Sequence, residues 1–61
     1  MHNRIRVIMT QEGMRSMRKP LTYGYLISLR GARLFILEDN KKSIVRYHRS
    51  FWKAYHEEEN F

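Results

Sequence analysis

Gly31-Ala32 stands between two apolar runs, residues 21–29 and 34–37, with Arg30 and Arg33 on either side; no other feature constrains the chain as much. Glycine at the first central position of a two-residue connection suits a type II′ hairpin, whose twist matches that of the strands it joins. The implied register pairs residues whose numbers sum to 63. Leu29 then faces Leu34 and Ile27 faces Ile36 on one side of the sheet, while Leu26 faces Leu37 and Ser28 faces Phe35 on the other.

The flanking segments extend this start. Ile5, Val7 and Met9 alternate with Arg4 and Arg6, the period of a strand with one solvated face. Residues 10–20 read as a basic loop, because Thr10, Gln11, Glu12 and Gly13 are turn-like and Lys19 before Pro20 disfavours helix. Beyond Glu38 two readings compete. Ile44, Tyr47, His48, Phe51, Trp52 and Tyr55 follow the spacing of one helical face, with Asn40 as its cap. Alternatively residues 39–42 form a four-residue hairpin loop, and 43–49 is a strand whose pairs sum to 81. Ile36 then faces Val45, Leu34 faces Tyr47 and Leu37 faces Ile44, so the apolar faces agree across three strands. That agreement, with β-branched Ile44 and Val45, favours the strand. Ser50 would then cap a short helix over 51–59, frayed where the three consecutive glutamates oppose its dipole.

The expected fold class is therefore α+β: a small antiparallel β-sheet of about three to four strands, open or curled into a barrel, with a short C-terminal α-helix. At 61 residues the chain is expected to be a single basic domain, with a basic loop at about 10–20 and an acidic tail at 57–61. It has no cysteine, so neither a disulfide nor a thiolate zinc site can staple it. No apolar run reaches the length of a membrane span and no signal-peptide pattern is present, which points to a soluble cytoplasmic protein without a membrane partner. The strand at 34–37 is apolar on both faces, and one helix covers only one of them. Leu26, Phe35, Leu37 and Ile44 would form a second patch, to be buried by curling, by a homodimer or by a target.

Charge supplies the functional lean. Twelve Lys and Arg stand against six Asp and Glu, and three of those acids are residues 57–59, leaving 1–56 with twelve cations and three acids. Arg4, Arg6, Arg15, Arg18, Lys19, Arg30, Arg33, Arg46 and Arg49 are candidate phosphate ligands, because such a surface gains from counterion release. Tyr23, Tyr25, Tyr47 and Trp52 are candidate platforms for stacked bases. No helix-turn-helix, aromatic RNP-type, GXXG or zinc-finger pattern accompanies them. The expected partner is nucleic acid. The alternative is an acidic protein, with the chain acting as an inhibitor or adaptor, such as a phage-type regulator of a host protein. That function would use an exposed apolar sheet face and a Met/Arg-rich loop, with Met14, Met17, Leu26, Phe35 and Leu37 at the interface.

No metal, cofactor or catalytic role is expected. His48 and His56 on one helix would lie roughly 12 Å apart along its axis, too far for a single ion. Glu12, Glu38 and Asp39 lack a paired spacing for acid–base work, and Ser43, Ser50 and His48 read as turn and cap residues rather than as a nucleophile and base.

Overall fold

The computed structural model describes residues 4–56. The elements are β1 (Ile5–Met9), α1 (Gln11–Met17), β2 (Tyr23–Arg30), β3 (Arg33–Glu38), β4 (Val45–His48), a single 3₁₀ turn (Arg49–Phe51) and β5 (Trp52–Ala54). All five strands join one antiparallel sheet in the order β4-β3-β2-β1-β5. The mixture of sheet and short helix fits α+β, with five strands where three to four were expected.

The two edge strands are consecutive in the chain, and this explains the shape. In a flat sheet the outermost of five strands would lie roughly 19 Å apart. Here Tyr47 of β4 and Trp52 of β5 meet edge-to-face with ring centroids 5.4 Å apart, because only the 3₁₀ turn separates them. The sheet is therefore curled. Val7, Met9, Leu34, Ile36, Tyr47 and Trp52 fill its inner face, with Met14, Leu26, Val45 and Phe51 packed against them. Full burial of a side chain such as Ile36 contributes about 1.5–3 kcal/mol.

The central hairpin forms in the expected register near its turn. Arg30 pairs with Arg33, Leu29 with Leu34 and Ser28 with Phe35. Gly31 adopts φ +60° whereas Ala32 has no positive φ, which is the type II′ pattern. Gly31→Val should cost about 1–3 kcal/mol, because a β-branched residue is strained there. Urea unfolding followed by Trp52 fluorescence checks this, and an unchanged midpoint would contradict it.

Further along, the register slips. Leu26 pairs with Ile36 and Tyr25 with Leu37, because Ile27 is an extra residue in β2. One inserted residue reverses the faces beyond it. Leu26 therefore lies on the inner face with Ile36, not opposite Leu37 as the sum of 63 requires. The expected patch of Leu26, Phe35, Leu37 and Ile44 is split by this bulge. Ile44 also stays outside the ladder, which ends at Ile36 with Val45. The remaining β3–β4 pairs, including Leu34 with Tyr47, follow the expected sum of 81.

Two further expectations are corrected. Residues 10–20 are not all loop, since α1 occupies Gln11–Met17. Thr10 Oγ1 accepts from the Gly13 N–H at 3.1 Å, an N-cap, and Arg18 ends the helix at φ 55°. Gly13 is required by packing: a Cβ there would sit 2.6 Å from the Phe51 carbonyl oxygen and 2.7 Å from Met9 Cγ. No helix starts at Phe51 either. The chain makes the 3₁₀ turn and then adds β5 to β1, with Val7 opposite Ala54 and Met9 opposite Trp52. Burying Trp52 against Tyr47 takes more aromatic surface out of water than an exposed helix would, although the indole N–H finds no acceptor among the described residues. The expected helix residues 57–59 and the acidic tail lie outside the described residues.

A candidate nucleic-acid interface on the outer face of the sheet

Strand alternation places one set of side chains on the face opposite the core, and pairing arranges them in rows. Arg30, Arg33 and His48 form the first row, at the hairpin turn. Ser28, Phe35 and Arg46 form the next. Arg6, Tyr25 and Leu37 form a third, across β1, β2 and β3. Beyond it Tyr23, Ile8 and Lys53 complete the face. An apolar and aromatic strip of Phe35, Leu37 and Tyr25 is thus flanked by Arg46, Arg33 and Arg30 on one side and Arg6 on the other. Tyr25 is 39% exposed, while Phe35 and Leu37 are half-buried.

Of the described acids near the strip, Glu38 is kept off it and Asp39 meets only its Arg6 flank. Glu38 lies on the inner face, opposite Gly24, and is almost fully buried. It accepts from Lys19 Nζ at 2.6 Å and from the Tyr47 hydroxyl. Burial alone would raise its carboxyl, but the Lys19 and Tyr47 hydrogen bonds, with the charges of Lys19 and Lys41, hold it below the ordinary carboxylate range. Burial, together with the same contact, pushes the Tyr47 phenol up. Asp39 is held by Arg6 in a two-pronged ion pair at 2.6 and 2.8 Å, which lowers its carboxyl. The Arg6 guanidinium also lies over Tyr25 and Tyr23, 4.6 and 5.3 Å from their ring centres.

The expected cations therefore fall into separate groups. Arg30, Arg33 and Arg46 are exposed, share the outer face and make no ion pair among the described residues. Arg49 is also exposed but begins the 3₁₀ turn; its N–H donates to the Ala32 carbonyl at 2.8 Å, tying that turn to the hairpin tip. Arg15 and Arg18 are exposed on α1 and its cap, away from the others, and Arg4 precedes β1. Lys19 is committed to Glu38 and Arg6 to Asp39, so the anticipated cluster of Arg15, Arg18 and Lys19 does not form one open patch.

The aromatic candidates divide similarly. Tyr47 and Trp52 are buried in the core and present no ring for stacking. Tyr23 is half-buried against Tyr55, with ring centres 5.1 Å apart. Tyr25 remains, and Phe35 joins it; the sequence marked Phe35 only as an apolar-patch residue. Its place beside the arginines was readable from the two hairpin registers taken together. Of the candidate protein-contact residues, Met14 packs on the core and Met17 is exposed, so the two do not form a shared surface with Phe35 and Leu37.

His48, Ser50 and Glu12 do come together. Ser50 Oγ lies 2.8 Å from His48 Nδ1 and 3.2 Å from Glu12 Oε2. His48 Nδ1 also accepts from the Ser50 N–H at 3.1 Å, and Thr10 Oγ1 donates to the Ser50 carbonyl at 2.7 Å. These bonds cap the 3₁₀ turn and fasten it to α1. The serine lies between the other two, so the histidine is not oriented by the carboxylate. Among the described residues no group of three or more His, Cys, Asp or Glu could hold a metal ion. No described helix is long and apolar enough to cross a membrane.

Comparison with known proteins finds no matching family model, curated protein or solved structure.

Proposed function

We propose that the chain is a small nucleic-acid-binding module that takes single strands on the outer face of its sheet. One observation carries the reading. Arg30, Arg33 and Arg46 lie in adjoining rows with half-buried Phe35 and with Tyr25, one face of which carries the Arg6 guanidinium, and among the described residues the only acid that meets these rows is Asp39, already held by Arg6. Arg30 and Arg33 are directly paired across the hairpin, an arrangement that costs stability because like charges face each other. An anion between them offsets that cost. Phosphates satisfy the arginines, while unstacked bases cover the strip that water otherwise wets.

Bases inside a duplex are stacked on one another and leave no face free for these rings, so the stacking residues discriminate between nucleic-acid forms. Fluorescence anisotropy with labelled single-stranded DNA, single-stranded RNA and duplex of one sequence tests this at about 50 mM salt. Tyr25→Ala and Phe35→Leu should each weaken single-strand binding by about 1–3 kcal/mol and leave any duplex binding nearly unchanged. Trp52 fluorescence reports whether each variant is folded. No binding by the parent protein at low salt would overturn the function, and equal losses on duplex would overturn the stacking role.

A further inference from the structure

A second surface lies on the inner side of the sheet, away from the arginine rows. β2 has eight residues, but β1 pairs only with residues 23–26. Past the Ile27 bulge, residues 28–30 bond to β3 alone among the described residues. The sheet opens at this point into a groove of about 440 Å³. Val7, Leu34 and Trp52 form its floor, and Ile5 and Leu29 its walls. Those walls are 51% and 59% exposed, unusually open for large aliphatic side chains. Arg49 stands at the rim, as does Lys53, whose strand position turns it towards the outer face; among the described residues no acid lines the groove, and Glu12 reaches the rim only through its bond to Ser50.

We propose that this groove docks an extended acidic segment of a partner protein, with aliphatic side chains at alternating positions. Three features select that occupant. Residues 28–30, unpaired on the β1 side among the described residues, offer backbone donors and acceptors to an added strand. An added strand places every second side chain on the inner face, where Ile5 and Leu29 would enclose an aliphatic group. The cationic rim complements carboxylates on the same segment, as charge-matched interfaces do. Aliphatic walls give a nucleobase no ring to stack on, which separates this site from the outer face. The inference does not rest on the nucleic-acid reading.

Trp52 is the only tryptophan in the chain and belongs to the groove floor, so its emission reports occupancy. A displayed library of random ten-residue peptides, selected on the parent protein, should converge on aliphatic residues two apart with neighbouring Asp or Glu. Synthetic copies should change Trp52 emission. Leu29→Lys should weaken them more than tenfold, and Arg49→Glu several-fold, whereas Leu21→Lys should have no effect. Leu29, Arg49 and Leu21 are all exposed, so these variants keep the fold. Blocking the peptide backbone by N-methylation at the central positions should abolish binding. A library that fails to converge on this pattern, or peptides that bind Leu29→Lys as well as the parent, would overturn the proposal. Single-stranded oligonucleotides should not displace the peptides; displacement would mean that the groove belongs to the nucleic-acid surface.

Discussion

Replacing Glu38 with alanine should leave much of the chain unfolded at room temperature. Glu38 is 1% exposed, and it joins Lys19 from the α1–β2 connection to Tyr47 from an edge strand. Removing one partner of a buried pair typically costs about 3–5 kcal/mol, because the other groups stay desolvated without a partner. A chain of this size has a total stability of roughly 3–9 kcal/mol. The loss is therefore comparable with the whole. Glu38→Gln keeps the shape, removes the buried charge and leaves Lys19 with access to water, so it should cost less; Lys19→Met leaves the Glu38 carboxylate buried without its cation and should cost about as much as the alanine variant. Urea unfolding read through Trp52 decides the matter; a loss below about 1 kcal/mol for the alanine variant would contradict the network's role.

The same network sets the pH response. Glu38 and Asp39 are both held below their ordinary values, so the folded pKa lies under the unfolded one. Their contribution is complete above the unfolded values of about 4 and is lost as the pH falls further. Asp39 is open to water and adds little, so Glu38 carries most of the acid-side slope. Tyr47 behaves oppositely. Its phenol is raised, so its contribution is complete below about pH 10 and lost as the pH rises beyond that. Stability should be nearly level between about pH 5 and 9 and fall on both sides. In Glu38→Gln the acid-side fall should be much reduced.

How far the fold could be read from sequence depends on what kind of signal each element leaves. The hairpin announces itself because Gly31 is chemically required at its turn, and β4 because its apolar pairs match those of β3. Neither signal extends to α1. Seven residues with a glycine in the third position have little intrinsic helical stability, and α1 exists because Gly13 fits against the backbone of Phe51. Thr10 was a readable cap, and its meaning depended on that distant contact. The bulge at Ile27 left no trace either, since nothing in the residues 26–28 marks one as surplus. Trp52 and Tyr55 mimic a helical spacing, yet three residues of β5 suffice to turn Trp52 inward.

The candidate interface was legible in part for the same reason. Sequence alone identified the arginines and tyrosines, while pairing decides which of them share a face. Arg30 opposite Arg33 follows from the hairpin, and Arg46 beside Phe35 follows from the second register. Arg6 and Lys19 looked equivalent to these in the sequence. Their partners, Asp39 and Glu38, are far away in the chain and became visible only when the strands were assembled. The groove had no sequence signature, because it exists where β1 stops pairing and β2 continues.

Replacing Arg30, Arg33 and Arg46 together with glutamine should weaken single-strand binding about a hundredfold at about 0.1 M salt. The figure follows from counterion release. On single strands each neutralised phosphate contributes about 0.7 to the slope of log K on log[salt], so three contacts account for about two units. The parent slope should flatten by that amount, while any base preference persists, since phosphate contacts position rather than specify. Folding does not confound the result. All three side chains are exposed, and removing the Arg30–Arg33 opposition should if anything stabilise the hairpin by a few tenths of a kcal/mol. Arg15→Gln with Arg18→Gln serves as the control of similar charge change, expected to shift the slope far less because α1 lies outside the rows. Loss that follows total charge, equal in the control after scaling for the number of residues changed, would show diffuse attraction and no defined face. An unchanged slope in the triple variant would remove the outer face from consideration altogether.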